Sequence, residues 1–202
     1  VLNRAGYQYI HPEGVEGMCC GVAFDSKGFP SQARRKTEEL KEALLKTSNN
    51  GEYPILCETS PCVQRLNHEL SELPIYDPVS FAGEFLIDQL ELQQLEETVL
   101  IHPTCSNRKA GHVAKMQAIA EKCSKEVVLP HTVTCCGTAG DRVIFHPELP
   151  EKALNILQSQ ISKNCSLGIS NSRTCELGLS MVSDLKFESL FHLLLKASKP
   201  KN

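Results

Sequence analysis

The sequence predicts an α/β fold made of two pseudo-repeated βαβ-type halves, each with a mainly parallel sheet. Three observations lead to this prediction. Short apolar runs alternate with segments of helical spacing, which is the pattern of βαβ units. A Cys-Cys-Gly triplet occurs twice, at 19–21 and at 135–137. Cysteines recur just after predicted strands, which places them at the carboxyl ends of parallel strands.

The elements of the second half follow one another in a regular order. We predict a strand over 99–101, a helix over 110–123, a strand over 127–129, a helix over 148–161 and a strand over 165–169. Each half is predicted to close with an amphipathic segment, formed by the apolar residues that follow Asp77 and Asp184. Strands separated by helices imply that neighbouring strands run parallel.

The two Cys-Cys-Gly triplets belong to a longer internal repeat. Residues 19–25 read Cys-Cys-Gly-Val-Ala-Phe-Asp, and residues 135–141 read Cys-Cys-Gly-Thr-Ala-Gly-Asp. These segments match at a single offset, since Cys136 lies 116 residues after Cys20; Cys62 corresponds to Cys175 at the shorter offset of 113, which a small loop difference explains. Such a match at one offset indicates a duplicated unit.

The repeat divides the chain near residue 95, within a predicted linker at 91–98 that is rich in Gln, Glu and Leu. The first half is predicted to be 1–94 and the second 95–202. At the repeat offset the counterpart of Cys105 would precede Val1, so we expect the first half to be truncated at its N-terminus and the chain to be part of a longer protein.

The chain has ten cysteines among 202 residues, an even number that would permit five disulfides. Neighbouring residues such as Cys19 and Cys20 have Cα atoms about 3.8 Å apart, which is below the usual range for a disulfide. Several thiols close together favour a metal ion or cluster. Disulfides to distant partners and inert buried thiols remain open at this point.

Parallel strands bring the cysteines of the second half to one edge of the sheet. Helix starts near that edge would lower the pKa of the thiols and favour metal ligation. The predicted ligands of this half are Cys105, Cys135, Cys136 and Cys175, and those of the first half are Cys19, Cys20, Cys62 and Cys57. Gly21 and Gly137 allow the chain to turn tightly beside each cysteine doublet, Cys19-Cys20 and Cys135-Cys136.

Composition excludes some classes of function. The formal net charge is −3, so the chain has no basic excess for a phosphate backbone, and we predict no nucleic-acid partner. No apolar stretch approaches the roughly 20 residues that span a bilayer. We therefore expect a soluble chain.

The cysteine pattern resembles the cysteine-rich CCG domain. That domain occurs twice in the cysteine-rich subunit of heterodisulfide reductase, in the iron-sulfur subunit of glycolate oxidase, and at the C-terminal end of large FAD-linked D-lactate dehydrogenases. The family pattern has one cysteine, a Cys-Cys-Gly triplet and a terminal Cys-x-x-Cys. In this chain Cys105, Cys135-Cys136-Gly137 and Cys175 match it, and the likeness covers nearly the whole sequence.

The chain departs from the family pattern at two positions. Thr59 and Ser172 stand where the first cysteine of each terminal Cys-x-x-Cys is expected. The five-thiolate set of a noncubane cluster is therefore incomplete. The four cysteines of the second half suit a four-iron 4Fe-4S cluster or a zinc ion.

The resemblance implies the iron-sulfur, electron-transfer C-terminal portion of a flavin-dependent D-lactate or D-2-hydroxyacid dehydrogenase. FAD would be bound elsewhere in the full-length protein. The partners would be flavin-binding and ferredoxin-like domains of the same chain or complex, and the isolated chain would not oxidise substrate. The alternatives are a zinc-stabilised structural or docking domain and a thiol-disulfide redox module.

Other residues near the cysteines have ordinary structural interpretations. Cys123 and Cys165 are predicted to be buried, inert thiols. Asp25 and Asp141 fit turn or capping roles, with orientation of a site as the alternative. His102 and His131 are candidates for supporting donors or replacement ligands, although local hydrogen bonds are the simpler expectation.

Overall fold

The computed structural model describes residues 1–130, 132–161 and 164–199, and shows an α/β fold whose sheets are parallel. The described chain forms two compact units. The small unit is Gln8–Asp77, and the large unit comprises Val1–Tyr7 and the residues from Pro78 onward. The boundary near residue 95 concerns the sequence repeat, and it stays a prediction.

The small unit consists of three α-helices and two short parallel strands. In chain order they are α1 (Val22–Asp25), α2 (Pro30–Thr47), β1 (Ile55–Leu56), α3 (Ser60–Glu69) and β2 (Ile75–Tyr76). Ile55 pairs with Ile75 and Leu56 pairs with Tyr76. Proline in the first turn of α2 and α3 suits a helix start, because the amide hydrogen that it lacks has no partner there.

The core of the small unit is formed by the inner faces of its helices and by β2. Its buried members are Leu44, Val63, Leu66, Leu70, Leu73, Ile75 and Cys20. Cys20 is therefore part of the apolar core, although it lies in a loop. Its sulfur atom is held in place by the same packing that holds the helices together.

The large unit contains seven α-helices and four strands among its described residues. In chain order they are α4 (Pro78–Phe81), which continues into a π-helical turn, β3 (Leu95–His102), α5 (Cys105–Lys109), α6 (Val113–Cys123), β4 (Ser124–Val128), α7 (Glu148–Ala153), α8 (Leu157–Gln160), β5 (Cys165–Ser170), α9 (Arg173–Val182), β6 (Phe187–Ser189) and α10 (Leu190–Ala197).

The four strands form one parallel sheet in the order β4-β3-β5-β6. Val99 of β3 lies between Val127 of β4 and Leu167 of β5. Val99, Leu100 and Ile101 are fully buried, as expected for a strand covered on both faces. Helix α6 contacts β3 and β4, whereas α9 contacts β5 and β6.

The predicted elements of the second half agree with the structure in kind. The strands predicted at 99–101, 127–129 and 165–169 lie in or overlap β3, β4 and β5, and the helix predicted at 110–123 is α6. Strand β3 begins at Leu95, so it takes up part of the predicted linker at 91–98.

The single helix predicted over 148–161 is wrong, because the structure has two short helices there, α7 and α8. Between them the amide of Leu157 donates to the carbonyl of Leu154. This tight turn buries both leucines in the core of the large unit.

Within the described residues, no helix has the length and the apolar composition that crossing a bilayer requires.

We predict that Gly168→Ala destabilises the large unit by about 1–3 kcal/mol, since overpacking a filled core has a cost of this size. A β-carbon at Gly168 would lie 2.6 Å from the ring of Phe187, which is buried. Urea unfolding followed by circular dichroism measures the change. Gly83→Ala is the control, because its β-carbon would meet only the flexible side chain of Lys115. Equal stability of the two variants would contradict the prediction.

Candidate functional site: two cysteine pairs

The large unit brings Cys136 and Cys175 into contact, with 2.8 Å between their sulfur atoms. Both residues are buried, and both are free thiols. Cys175 lies in the first turn of α9, directly after β5, whereas Cys136 belongs to the loop that follows β4. The loop and the helix therefore meet through these two side chains.

The position of Cys105 and Cys175 follows from the topology of the sheet. The chain leaves β3 towards β4 on one side and leaves β5 towards β6 on the other. A crevice forms where the connections diverge in this way, at the carboxyl ends of the central strands. Cys105 begins α5 after β3, and Cys175 follows β5. The predicted placement at the carboxyl edge holds for both residues.

The doublet of the large unit, Cys135-Cys136, lies farther along the chain from strand β4 than the sequence predicts. Strand β4 ends at Val128, seven residues before Cys135. Cys105 and Cys135 are exposed. Both are nevertheless close enough to Cys175 to contribute electrostatically to its raised pKa.

The two sulfur atoms of the buried pair differ in acidity. The hydrogen bond with Cys175 lowers the pKa of Cys136 to about 6, with further help from the hydroxyl and amide of Thr138, although burial opposes the shift. The same hydrogen bond, together with burial, raises the pKa of Cys175. The pair therefore holds one thiolate and one thiol at neutral pH.

The small unit contains a second pair with the same geometry. The sulfur atoms of Cys20 and Cys62 are 2.8 Å apart, and Cys62 lies in the first turn of α3. The hydrogen bond with Cys62 lowers the pKa of Cys20 to about 6, and the pKa of Cys62 is raised. Cys57 follows β1, and its sulfur donates to the carbonyl of Thr59 at 3.9 Å. Its interaction with Cys62 lowers the pKa of Cys57. This unit thus brings two of its four predicted ligands into contact, with Cys57 close to Cys62.

The loops that carry the doublets also have the same local geometry. The amide of Gly21 donates to the sulfur of Cys19 at 3.4 Å, and the amide of Gly137 donates to that of Cys135 at 3.4 Å. Both glycines have positive φ, 86° and 73°. These matching turns agree with the internal repeat, whose origin by duplication stays a prediction.

In the part of the chain that the structure describes, no three or more His, Cys, Asp or Glu side chains are grouped so that they could hold a metal ion. The predicted four-thiolate set of the large unit is instead one buried pair with two exposed cysteines nearby. The donors are thiols, which are the ligands that iron-sulfur clusters and zinc use in proteins. The chemistry of the donor set fits such a group.

The remaining cysteines, Cys123 and Cys165, are buried and belong to neither pair. Cys123 ends α6, and burial raises its pKa to about 12. Burial also raises the pKa of Cys165. Raised pKa values keep both thiols protonated and unreactive, in agreement with the interpretation as inert side chains.

Among the acidic and histidine candidates, Asp25 forms an ion pair and His102 forms local hydrogen bonds. Asp25 pairs with Arg65 at 3.0 Å, so it has a role beyond a simple turn. The ring Nδ1 of His102 lies 3.5 Å from the hydroxyl of Ser170, and that hydroxyl donates to the carbonyl of His102. Local hydrogen bonding is the simpler expectation for His102, and these contacts agree with it. His131 lies outside the described residues.

Sequence reasoning missed two polar residues that support the doublets. Arg65 donates from Nε to the carbonyl of Cys20 at 2.9 Å, and the hydroxyl of Thr138 lies 3.1 Å from the sulfur of Cys136. Helical periodicity could have indicated Arg65, because it lies three residues after Cys62 and so shares a face with it. Thr138 lies two residues after Cys136, within the repeat itself.

Comparison with known proteins adds no family assignment: no protein family model matches the chain, and no curated protein matches its sequence. The resemblance to the CCG domain therefore stays a prediction.

We predict that Gly137→Ala destabilises the large unit more than Gly140→Ala does. Both glycines have a φ of 73°, so an added β-carbon causes similar backbone strain in the two variants. Only at Gly137 would it also meet packed atoms, 2.7 Å from the β-carbon of Ala153. The difference in unfolding free energy should be about 1–3 kcal/mol. Equal losses, measured by urea titration, would show that the loop does not depend on this close packing.

We predict that His102 contributes to the loss of stability in acid. Burial, and then the charge of Arg108, lowers its pKa from 6.5 to about 4. Between these values the unfolded chain binds a proton that the folded chain does not, so the unfolding free energy decreases as the pH falls through this window. His102→Asn should remove about 3 kcal/mol of this decrease. Unfolding titrations at several pH values would reveal an unchanged slope if another group is responsible.

Proposed function

We propose that the chain is a metal-thiolate electron-transfer module, and specifically the iron-sulfur C-terminal portion of a flavin-dependent D-lactate or D-2-hydroxyacid dehydrogenase. The observation that supports this proposal most directly is the pair of sulfur contacts, each 2.8 Å, built from a glycine turn and a helix start. Two sites of the same construction suit two centres of the same kind.

The residues that would hold the metal are the cysteines of each unit. In the large unit these are Cys105, Cys135, Cys136 and Cys175, and in the small unit they are Cys19, Cys20, Cys57 and Cys62. A bound iron-sulfur cluster would supply reversible one-electron transfer. The lowered pKa values of Cys20 and Cys136 support this role, because the thiolate is the form that binds metal.

The chain's own residues would adjust the properties of such a centre. The amides of Gly21 and Gly137 donate to cysteine sulfur, and Thr138 offers its hydroxyl to Cys136. Hydrogen bonds to sulfur and limited solvent exposure both shift the reduction potential of an iron-sulfur cluster. Burial of Cys136 and Cys175 would limit the access of water.

The other parts of the proposed enzyme would lie outside this chain. FAD and the substrate would be bound by a flavin-binding domain, and electrons would pass through a ferredoxin-like domain of the same chain or complex. The module itself would then carry no catalytic residue, and alone it would not oxidise substrate. We place this enzyme in the cytoplasm or at the inner face of the membrane, next to membrane electron acceptors.

A thiol-disulfide redox module is the second candidate, and one observation favours it. Each pair combines a thiol of lowered pKa with one of raised pKa at a distance of 2.8 Å. Such an arrangement provides a thiolate nucleophile next to a resolving thiol. A zinc-stabilised structural or docking domain would use the same cysteines as the iron-sulfur module.

Anaerobic reconstitution of the chain with iron and sulfide tests the proposal. We expect brown protein that carries iron and sulfide, and we expect Cys175→Ser to lose about half of the bound iron because it breaks one of the two sites. Cys123→Ala is the matched control and should retain all of the iron, since Cys123 is buried away from both pairs.

The alternatives give different results in the same experiment. Zinc without iron or redox activity would select the structural domain. A metal-free chain that forms Cys20–Cys62 and Cys136–Cys175 disulfides, each with the loss of two hydrogen atoms to an added disulfide oxidant, would select the thiol-disulfide module. Either result would overturn the iron-sulfur assignment.

A further inference from the structure

Arg65 reaches back from α3 to the doublet of the small unit. It lies three residues after Cys62, nearly one helical turn, so it projects from the same side of the helix. Its side chain is only 11% exposed, which is unusual for an arginine. A charged group in such a position requires partners that compensate for the loss of water.

The contacts of Arg65 join the two ends of the doublet loop. Nε donates to the carbonyl of Cys20 at 2.9 Å, and Nη1 donates to Oδ2 of Asp25 at 3.0 Å. Thr37 on α2 donates to the same Cys20 carbonyl at 3.0 Å. Arg65 thus fixes the backbone on which the Cys20 sulfur is carried, and Asp25 in turn fixes the direction of the guanidinium.

The large unit has glycine at the corresponding position. Gly178 lies three residues after Cys175 and faces the carbonyl of Cys136, which would be 3.5 Å from an added β-carbon. The same β-carbon would lie 2.2 Å from the methyl group of Thr138. Thr138 therefore fills the space that a side chain at 178 would need, and its hydroxyl contacts the sulfur of Cys136.

The groups that contact the two doublets directly therefore differ in charge, although the sites share their geometry; the half-buried Arg108 of the large unit donates instead to the carbonyl of Val133, at 3.5 Å. At the small-unit site the group beside the doublet is the positively charged guanidinium of Arg65. At the large-unit site it is a neutral hydroxyl. The carboxylates that pair with Arg65 are more exposed than Arg65 itself, 51% for Asp25 and 37% for Glu69, so water screens them more strongly.

We infer that Arg65 is a positioning residue that favours anionic metal-thiolate centres in the small unit and thereby distinguishes this site from that of the large unit. The inference rests on the proposed function, because it assumes that the cysteines bind metal. Each thiolate brings a negative charge to the metal, and the buried guanidinium offsets part of the repulsion among them. The small-unit site should therefore bind thiophilic cations more tightly than it would without Arg65.

Cadmium binding tests this inference, and the sulfur-to-metal absorption band in the ultraviolet provides the signal. The full chain is used with the large-unit pair removed by Cys136→Ser and Cys175→Ser, so that the signal reports the small-unit site. Affinity is measured by competition with a chelator. We expect Arg65→Gln to weaken cadmium binding by about tenfold or more, the size expected for loss of a charge-assisted hydrogen bond.

Two further variants separate charge from structure. Arg65→Lys keeps the positive charge, so it should recover part of the affinity lost in Arg65→Gln, which a purely structural role would not produce. Arg35→Gln removes a cation from an exposed position on α2 and should leave the affinity unchanged. Circular dichroism of the metal-free variants monitors their folding.

The possible failures are distinguishable. If the chain with both pairs intact binds no cadmium, the proposed metal function fails and the inference fails with it. If that chain binds cadmium but Arg65→Gln binds it equally well, the inference alone is overturned. Equal losses in Arg65→Gln and Arg65→Lys would also overturn it, because the charge would then have no effect.

Discussion

The contact between a loop cysteine and a cysteine in the first turn of a helix is the constraint on which each unit depends. Cys20 reaches Cys62 and Cys136 reaches Cys175 only because the loop turns sharply at a glycine. A β-carbon at that glycine would strike the neighbouring helix segment, α2 in one unit and α7 in the other. Sulfur position, loop shape and helix packing are therefore a single cooperative arrangement.

This arrangement also determines the chemistry of the pairs. Two buried thiols in contact share one proton, so each pair carries one negative charge that the surroundings must accommodate. The amides and hydroxyls beside the sulfur atoms are fixed by the backbone, and they stabilise that charge with little rearrangement. A metal ion or an oxidant would find the same preorganised sulfur atoms, which is why metal binding and dithiol chemistry are the two leading functions.

Local patterns in the sequence predict much of this structure. The apolar run at 99–101 predicts the central strand, and the repeated Cys-Cys-Gly triplet indicates which loop in each half carries equivalent cysteines. The interruption of the helix after residue 148 could not be predicted. The spacing of Leu154 and Leu157 also fits a continuous helix, and only the tertiary core shows how the two side chains are buried. The role of Arg65 was equally hidden, since a basic residue on a helix usually faces solvent.

The close fit between Gly178 and Thr138 restricts which amino-acid substitutions the large-unit site can accept. A side chain at 178 requires the methyl group of Thr138 to move, because that group would be only 2.2 Å from the new β-carbon. A side chain could enter the large-unit site at this position once the methyl group of residue 138 is displaced or absent, and serine at 138 would meet this condition while keeping the hydroxyl beside Cys136. Substitutions at 178 and 138 are thus coupled, and a chain with serine at 138 is an intermediate that keeps the hydroxyl while making room for a new side chain.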